Sequence, residues 1–579
     1  MAPALRPIGL LSIRRRGWLS LLPALTLALF LLPVLAGVIG TLLPALGFLP
    51  GLGEREFSLR PLRALLGAPE LPGALIATLV SGLLATLLAL LSAIGLAASL
   101  QGTRLLAWLG RLTVPLLAMP HAALAIGFAF LIAPSGWLVR LAAPLLLGAG
   151  PPDFPIPGDR LGLTLAAGLW LKETPFLLLA VFAGMNQLPV ARSLDIARSL
   201  GYGPATAWLK VILPILYGQL RLPIYAVLAF SLSVVDMALI LGPTTPPTLA
   251  TLLLGWFDDP SLEKLLPAAA GGMLQLLVAA AAILLWRLGE LVLAHTTRGW
   301  LAGGGRGHRG GSGRRLGAAA ALLLLLLAFA SMLALGLWSL ARRWPFPAPL
   351  PISWSLGNWL GGGPDLGRAL TTSLLLASAA TAIALVLSLG CLENERRHGL
   401  HPSARALWLI YLPLLIPQIS FMFGTTALLA WLGLEASLPA LIWSHLLFVL
   451  PYVFLMLADP YRALDERYRR TGLCLGAGES RVFFAVTLPM LLRPILLAAA
   501  VGFSVSIALY LPTLFLGAGR FTTLATEAVA ANAGADRRLA GVYGFLQAAL
   551  PLAGFALALL LPRLVFRHRR GLLMARGRP

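Results

Sequence analysis

The chain has 579 residues, 59% of them hydrophobic and 11% charged, with a mean hydropathy of +0.88. That leaves too little polar surface to cover a soluble globule, so composition excludes a water-soluble domain and points to an all-α polytopic membrane protein. The net charge of +22 would suggest nucleic acid in a soluble protein, but the arginines cluster between apolar runs, where the positive-inside rule expects them, and no nucleic-acid partner is implied.

A bilayer core needs roughly 20 apolar residues per helix, and the chain offers about twelve such runs. In the first half they fall near 18–45, 72–100, 107–134, 161–188, 215–243 and 265–293. The second half repeats them near 316–340, 367–392, 405–432, 437–459, 490–517 and 539–566. The first run follows Arg14-Arg15-Arg16 but is too long for a secretory signal, and it reads as an uncleaved helix. Arg104, Arg192, Arg198, Arg298, Arg306, Arg309, Arg396, Arg397, Arg467, Arg469, Arg481, Arg567, Arg569 and Arg570 fall on the side of that opening triplet, which is therefore expected to be cytoplasmic together with both termini. The other loops carry mixed charge, as at Glu54, Glu70, Asp153, Asp159 and Asp536. Residues 295–316, with Gly-Gly-Gly and Gly-Gly-Ser, read as a flexible basic linker on the cytoplasmic face. The expected domains are thus 1–294 and 317–579. Two cysteines, Cys391 and Cys474, imply no disulfide framework.

One segment is written twice. Asp195-Ile196-Ala197, Gly201 and Val211-Ile212-Leu213-Pro214 recur as Arg470-Thr471-Gly472, Gly476 and Val486-Thr487-Leu488-Pro489, and the glycines lie 476 − 201 = 275 residues apart. Both copies fall on the expected cytoplasmic side, two spans before the end of a six-span unit. The glycine suits a tight turn between short helices, and the proline suits the start of the next span, where its missing N–H costs nothing. Further pairs follow: Ala74, Thr86 and Gly95 with Ala369, Thr381 and Gly390 at an offset of 295 (369 − 74), and Pro120 and Gly127 with Pro417 and Gly424 at 297 (417 − 120). Phe230-Ser231-Leu232-Ser233 matches Phe503-Ser504-Val505-Ser506 at 273 (503 − 230). The fall in offset locates an extra loop of the first half around residues 141–160.

The triplet, the glycine, the nine-residue gap and the closing Leu-Pro, at 190–214 and 465–489, resemble the EAA loops of the permease subunits of bacterial ABC importers. The resemblance covers nearly the whole chain, as a fused pair of six-helix permease domains of type I importer character, similar to the thiamine, ferric-iron and polyamine group. Ser233-Val234-Val235-Asp236-Met237 and Leu511-Pro512-Thr513-Leu514 resemble the YnjC-type members of that group. It implies an inner-membrane location, two copies of a cytoplasmic ABC ATPase docked on the two loops, and an extracytoplasmic solute-binding protein. Neither copy keeps the family's opening glutamate: Asp195 retains the charge and Arg470 reverses it, which implies unequal docking surfaces. The residues carried over as the coupling set are Asp195, Ala197, Gly201, Leu213, Pro214, Arg470, Gly472, Gly476, Leu488 and Pro489.

A Walker A loop ends in Gly-Lys-Ser/Thr so that its lysine reaches the phosphates. The lysines here are Lys172, Lys210 and Lys264, preceded by Leu171, Leu209 and Glu263, so ATP must be used by a separate subunit and no cofactor is expected on this chain. No His-Glu-x-x-His, Cys-x-x-Cys or Gly-x-Ser-x-Gly occurs, and an enzyme is not indicated. Polar residues inside spans are costly and therefore candidates for function. Lys172, Glu173, Asp236, Ser504 and Ser506 are candidates to line a path, with interhelical bonding as the other reading; the acids would suit a cationic solute. Adjacent positions point about 100° apart on a helix, so Lys172 and Glu173 are expected to meet other helices. His121 and His445 read as packing residues. A two-half ion-coupled transporter and a membrane scaffold are the rival readings; the repeated cytoplasmic segment favours the importer permease.

Overall fold

The structure, a computed structural model, describes residues 18–146, 150–307, 312–361, 363–400 and 404–565. Arg14 to Arg16, Arg309, Arg567, Arg569 and Arg570 lie outside these residues. Helices make up the described chain, apart from turns and a two-stranded antiparallel hairpin of Ala341–Arg343 and Ser353–Trp354. Ten helices among the described residues are long and apolar enough to cross a bilayer, or eleven when Glu479–Met490 and Leu492–Ala508, bent by 73°, count as one span.

The shortfall from twelve is a correction: the run at 490–517 is bent at Leu491 and opens at Leu509, and the run at 405–432 is broken at a proline. The run at 405–432 is cut at Pro417 into Ala404–Leu415 and Ile419–Trp431, each too short to cross alone. The run at 107–134 is cut in the same place: Arg104–Ala118 ends, Met119 is extended, and a new helix starts at His121 after Pro120. Proline lacks an N–H and pushes the preceding residue out of helical geometry, so both breaks are written locally. The membrane-length stretch on the first side is instead His121–Ala143.

The fifth span of each half also breaks. Leu213–Ser233 opens at Val234 and a short helix, Asp236–Leu241, follows; Leu492–Ala508 opens at Leu509 and Leu511–Gly517 follows. The backbone repeats closely, with φ/ψ of −63°/134° at Val234 and −69°/120° at Leu509, then −107°/−53° at Val235 and −103°/−61° at Tyr510. This offset is 509 − 234 = 275, the same as for the two loop glycines. The sequence register of 273 for this span is therefore corrected by two residues: Ser231 corresponds to Ser506, and Asp236 to Leu511.

The two halves interlock. Within each, equivalent spans pack together, Leu71–Ser99 on Leu163–Asn186 and Gly363–His398 on Leu438–Arg462. The first helix of each half, however, packs on the other half: Leu22–Ala45 on Ile419–Trp431, and Ser312–Leu340 on His121–Ile132. Glycine permits both crossings. A Cβ on Gly424 would stand 2.0 Å from the Gly37 carbonyl oxygen, and one on Gly127 would stand 2.4 Å from that of Ser331. Thr41 Oγ1 accepts from the Gly424 amide at 3.1 Å and donates to the Gly37 carbonyl at 2.9 Å. In lipid, helices gain little hydrophobic energy from meeting, so such close contacts and hydrogen bonds carry the association. Leu277, Leu284, Leu285 and Leu291 are exposed on the last span of the first half, as a bilayer-facing surface requires.

Candidate functional site

The repeated segment folds twice into the same turn. In the first copy the helix Val190–Ser199 leads to Gly201 at φ +83°, then to Pro204–Ala207 and a π-helical turn, Trp208–Ile212. In the second, Glu466–Cys474 leads to Gly476 at φ +81°, then to Glu479–Val482 and a π-helical turn, Phe483–Thr487. The Tyr202 amide donates to the Ala197 carbonyl at 3.0 Å and the Ala477 amide to that of Gly472 at 3.1 Å. The Gly201 and Gly476 amides close on Arg198 and Leu473 at 2.9 and 3.0 Å. These are the left-handed helix ends for which glycine is the favoured residue.

Pro214 and Pro489 do not open their spans as expected. Leu213 and Leu488 continue directly from the π turns, so each proline sits just inside a helix already running. The wider π turn accommodates the residue that cannot donate to the preceding turn. In the second copy the helix then bends at Leu491 before Leu492–Ala508.

The surroundings of the two copies differ. Asp195 makes a surface pair with Arg198 at 3.0 Å, whereas exposed Arg470 makes no ion pair among the described residues. The second copy is held by a network: Arg396 donates to Glu466 at 2.8 Å and to Thr487 Oγ1 at 3.0 Å, and Arg469 bonds Glu466 at 3.3 Å and also Glu479. Burial works to raise the Glu466 carboxyl, but the two arginines outweigh it and hold its pKa below the usual carboxylate range. The first copy is braced by the linker instead. The Gly203 amide donates to the Arg306 carbonyl at 2.8 Å, Lys210 Nζ donates to the Gly303 carbonyl at 2.7 Å, and the same ammonium lies 4.8 Å from the Trp300 ring. The described part of the linker is therefore partly helical, Arg298–Ala302, and attached, rather than the free tether its glycines suggested. Each copy still presents apolar side chains outward: Ile196 and Leu200 are over half exposed, and Leu475 and Phe484 are 82% and 67% exposed.

A second group of polar residues lies buried inside the helical bundle. Lys172 and Glu173 diverge as helix geometry requires. Lys172 Nζ donates to the carbonyls of Leu117 and Met119 at 3.1 and 2.5 Å, satisfying acceptors freed by the break at Pro120. Glu173 Oε1 lies 3.3 Å from His121 Nε2, and the His121 ring is 4.6 Å from that of Phe230. Asp236, 9% exposed, starts the short helix after the span break and accepts from its neighbour's amide, Met237 N, at 2.9 Å. It has no salt bridge among the described residues, although His121 and Lys172 are within electrostatic reach. Tyr452 and Tyr510, from the second half, are within such reach of Glu173 and Asp236 respectively. Ser504 bonds back to the Ala500 carbonyl at 2.6 Å, and Ser506 bonds His445 Nδ1 at 2.7 Å, with Thr513 on the other ring nitrogen at 3.0 Å.

His121, which its sequence context marks as a packing residue, is hydrogen-bonded to Glu173 and packed on Phe230, whereas Gln275 and Gln547 belong to no motif that singles them out. These two glutamines, 547 − 275 = 272 residues apart and fully buried, donate to the carbonyls of Leu232 and Ile507 beside the two span breaks. A lone glutamine at matching places in two apolar runs was the available signal.

Two interlocked bundles of membrane-length helices, each with a broken fifth span and a turn closed by a left-handed glycine, define a polytopic helical membrane protein. The chain belongs to the binding-protein-dependent transport system inner membrane components, the permeases of ABC importers, and the profile of that family matches residues 396–570. The inner membrane permease YnjC of Escherichia coli K12 is 34% identical over 520 residues, 89% of this chain and 93% of YnjC. The putrescine permease PotI of the same organism is 27% identical over 150 residues, 24% of this chain and 52% of PotI. The diacetylchitobiose permease NgcG of Streptomyces coelicolor is 27% identical over 162 residues, 27% of this chain and 52% of NgcG.

Proposed function

We propose that this permease carries both transmembrane halves of one importer and couples to a separate ATPase through the segments 190–214 and 465–489. The observation that carries the reading is the repeated turn itself: two left-handed glycines, two identical backbone closures and two π turns at one offset, each with apolar side chains left exposed. Exposed apolar patches on an otherwise polar face fit a protein partner. One ATPase copy would seat on each segment, and ATP-driven closure would swing the halves about their interface, with an extracytoplasmic binding protein delivering solute. The route would run between the halves past Asp236 and Glu173, with His121 joining them. Lys172 and Ser506 are better read as interhelical bonding, since each is occupied by a group on another helix, and Ser504 is occupied by a carbonyl of its own helix. Both termini would be cytoplasmic.

Purification of the chain from its own membrane tests this reading. An ATPase should copurify with it. Leu475→Glu with Phe484→Glu, or Ile196→Glu with Leu200→Glu, should each reduce the recovered ATPase by about tenfold, the equivalent of about 1.4 kcal/mol. Undiminished recovery from both double variants would sink it.

A further inference from the structure

At the end of the bundle remote from the coupling segments, a cavity of about 210 Å³ opens between the halves, lined by Phe130, Ala133, Pro157 and Ile240 of the first and by Asn532 and Arg537 of the second. The helix Leu163–Asn186 connects the Pro157 loop to the first coupling segment, which places the two at opposite ends of the molecule. Two guanidinium groups meet there about one indole: Arg140 lies 5.8 Å and Arg537 5.3 Å from the Trp338 ring. Arg140 is satisfied. It is 3% exposed, and its nitrogens donate to the carbonyls of Ser135 at 2.9 Å, Pro345 at 2.7 Å, Ala348 at 3.3 Å and Trp344 at 3.4 Å.

Arg537 is not satisfied. Among the described residues it has no carboxylate partner and no hydrogen-bond acceptor, so a half-buried guanidinium at the cavity wall has donors without a protein acceptor, beside a second cation. The carboxylates next in sequence to the lining residues are committed to helix starts: Asp536 accepts from the amides of Arg538 and Leu539, and Asp159 from those of Leu163 and Thr164. The Asn532 side-chain amide also has no partner among the described residues. A partly buried charge without a counter-charge is costly, and a guanidinium fork beside a free amide matches a carboxylate or a phosphate.

We propose that this cavity is an anion site, and that it receives the carboxylate or phosphate group of a small zwitterionic solute whose cationic group then meets Asp236. The cavity lies about one helical turn from Asp236, since Ile240 of its lining is four residues further along the helix Asp236–Leu241. The proposal rests on the permease reading for the identity of the bound molecule as solute, while the binding itself is measured on the chain alone, without ATPase or transport.

The full chain in lipid nanodiscs is titrated with succinate, inorganic phosphate, choline and hexaglutamate, following the fluorescence that Trp338→Phe removes. Succinate or phosphate should give a saturable change with a Kd of about 1 mM or tighter, and choline none. Arg537→Gln should weaken the response at least tenfold, and Asn532→Asp, which puts a carboxylate beside Arg537, should abolish it. The absence of a saturable response to either small anion in the wild-type chain overturns the proposal whether or not the variants fold; so does a response to choline, or one that Arg537→Gln leaves unchanged. Tighter binding of hexaglutamate than of succinate would assign the site to an acidic protein surface and overturn the solute assignment. Anion binding with no copurifying ATPase would leave the site standing and remove the proposed ATPase coupling; a copurifying ATPase with no anion binding would do the reverse.

Discussion

Gly476 is where a single residue can test the proposed coupling. Its φ is +81°, and a Cβ built on it meets nothing within 4 Å, so a side chain there is opposed by backbone conformation alone and not by crowding. Gly476→Val should cost about 1–2 kcal/mol locally, which the turn can relieve by flattening. The expected result is a chain that stays in the membrane and melts almost normally, while ATP hydrolysis by the assembled importer continues and uptake falls at least tenfold. Wild-type uptake would show that the turn's handedness is immaterial. Asp236 belongs to the same scale. Asp236→Asn is close to isosteric and keeps its acceptor for the Met237 amide, so packing should survive. Loss of the charge should remove about 1–3 kcal/mol from any charge-assisted contact with a solute and reduce uptake about tenfold or more. An Asn variant that transports normally would return Asp236 to a purely structural role.

Elements respond to what surrounds them, and the second repeated segment depends on ion pairs in a way the first does not. Glu466 is held below its ordinary pKa by Arg396 and Arg469 against the effect of its burial. A carboxylate lowered on folding contributes stability that is fully present above its unfolded pKa, about 4.3, and is lost as pH falls through the folded value. Amide exchange of residues 466–490 should therefore quicken below about pH 4, and Glu466→Gln should remove that pH dependence while leaving residues 190–214 unaffected. If both segments loosen together on acidification, the ion-pair network is not what holds the second. The helix crossing at Gly424 makes a separate prediction. Its Cβ would stand 2.0 Å from a backbone oxygen that cannot turn aside, so Gly424→Ala should destabilise by about 1–3 kcal/mol, as overpacking does. Gly218→Ala, in open space on the helix Leu213–Ser233, should be neutral or slightly stabilising. Melting midpoints in detergent compare the two.

At the scale of the whole molecule, the exchange of first helices ties the halves together more than the linker does. Residues 1–307 and 312–579 expressed as separate chains in one cell should copurify, because Leu22–Ala45 is seated on the second half and Ser312–Leu340 on the first. Either fragment expressed alone should be degraded, and a second fragment that is stable by itself would contradict the interlock. Composition and apolar run length were enough to determine a polytopic helical membrane protein, and the 275-residue repeat was enough to determine two related halves with a matching turn, because span length, charge bias, the glycine turns and the proline breaks are local properties of the chain. The register of the fifth span, the pairing of Glu173 with His121, the attachment of the linker to the first turn and the unpaired state of Arg537 were decided only by tertiary structure. Each depends on which helix lies opposite. That is set by close crossings such as Gly424 on Gly37, between residues nearly four hundred positions apart, and no period along the sequence encodes such a contact.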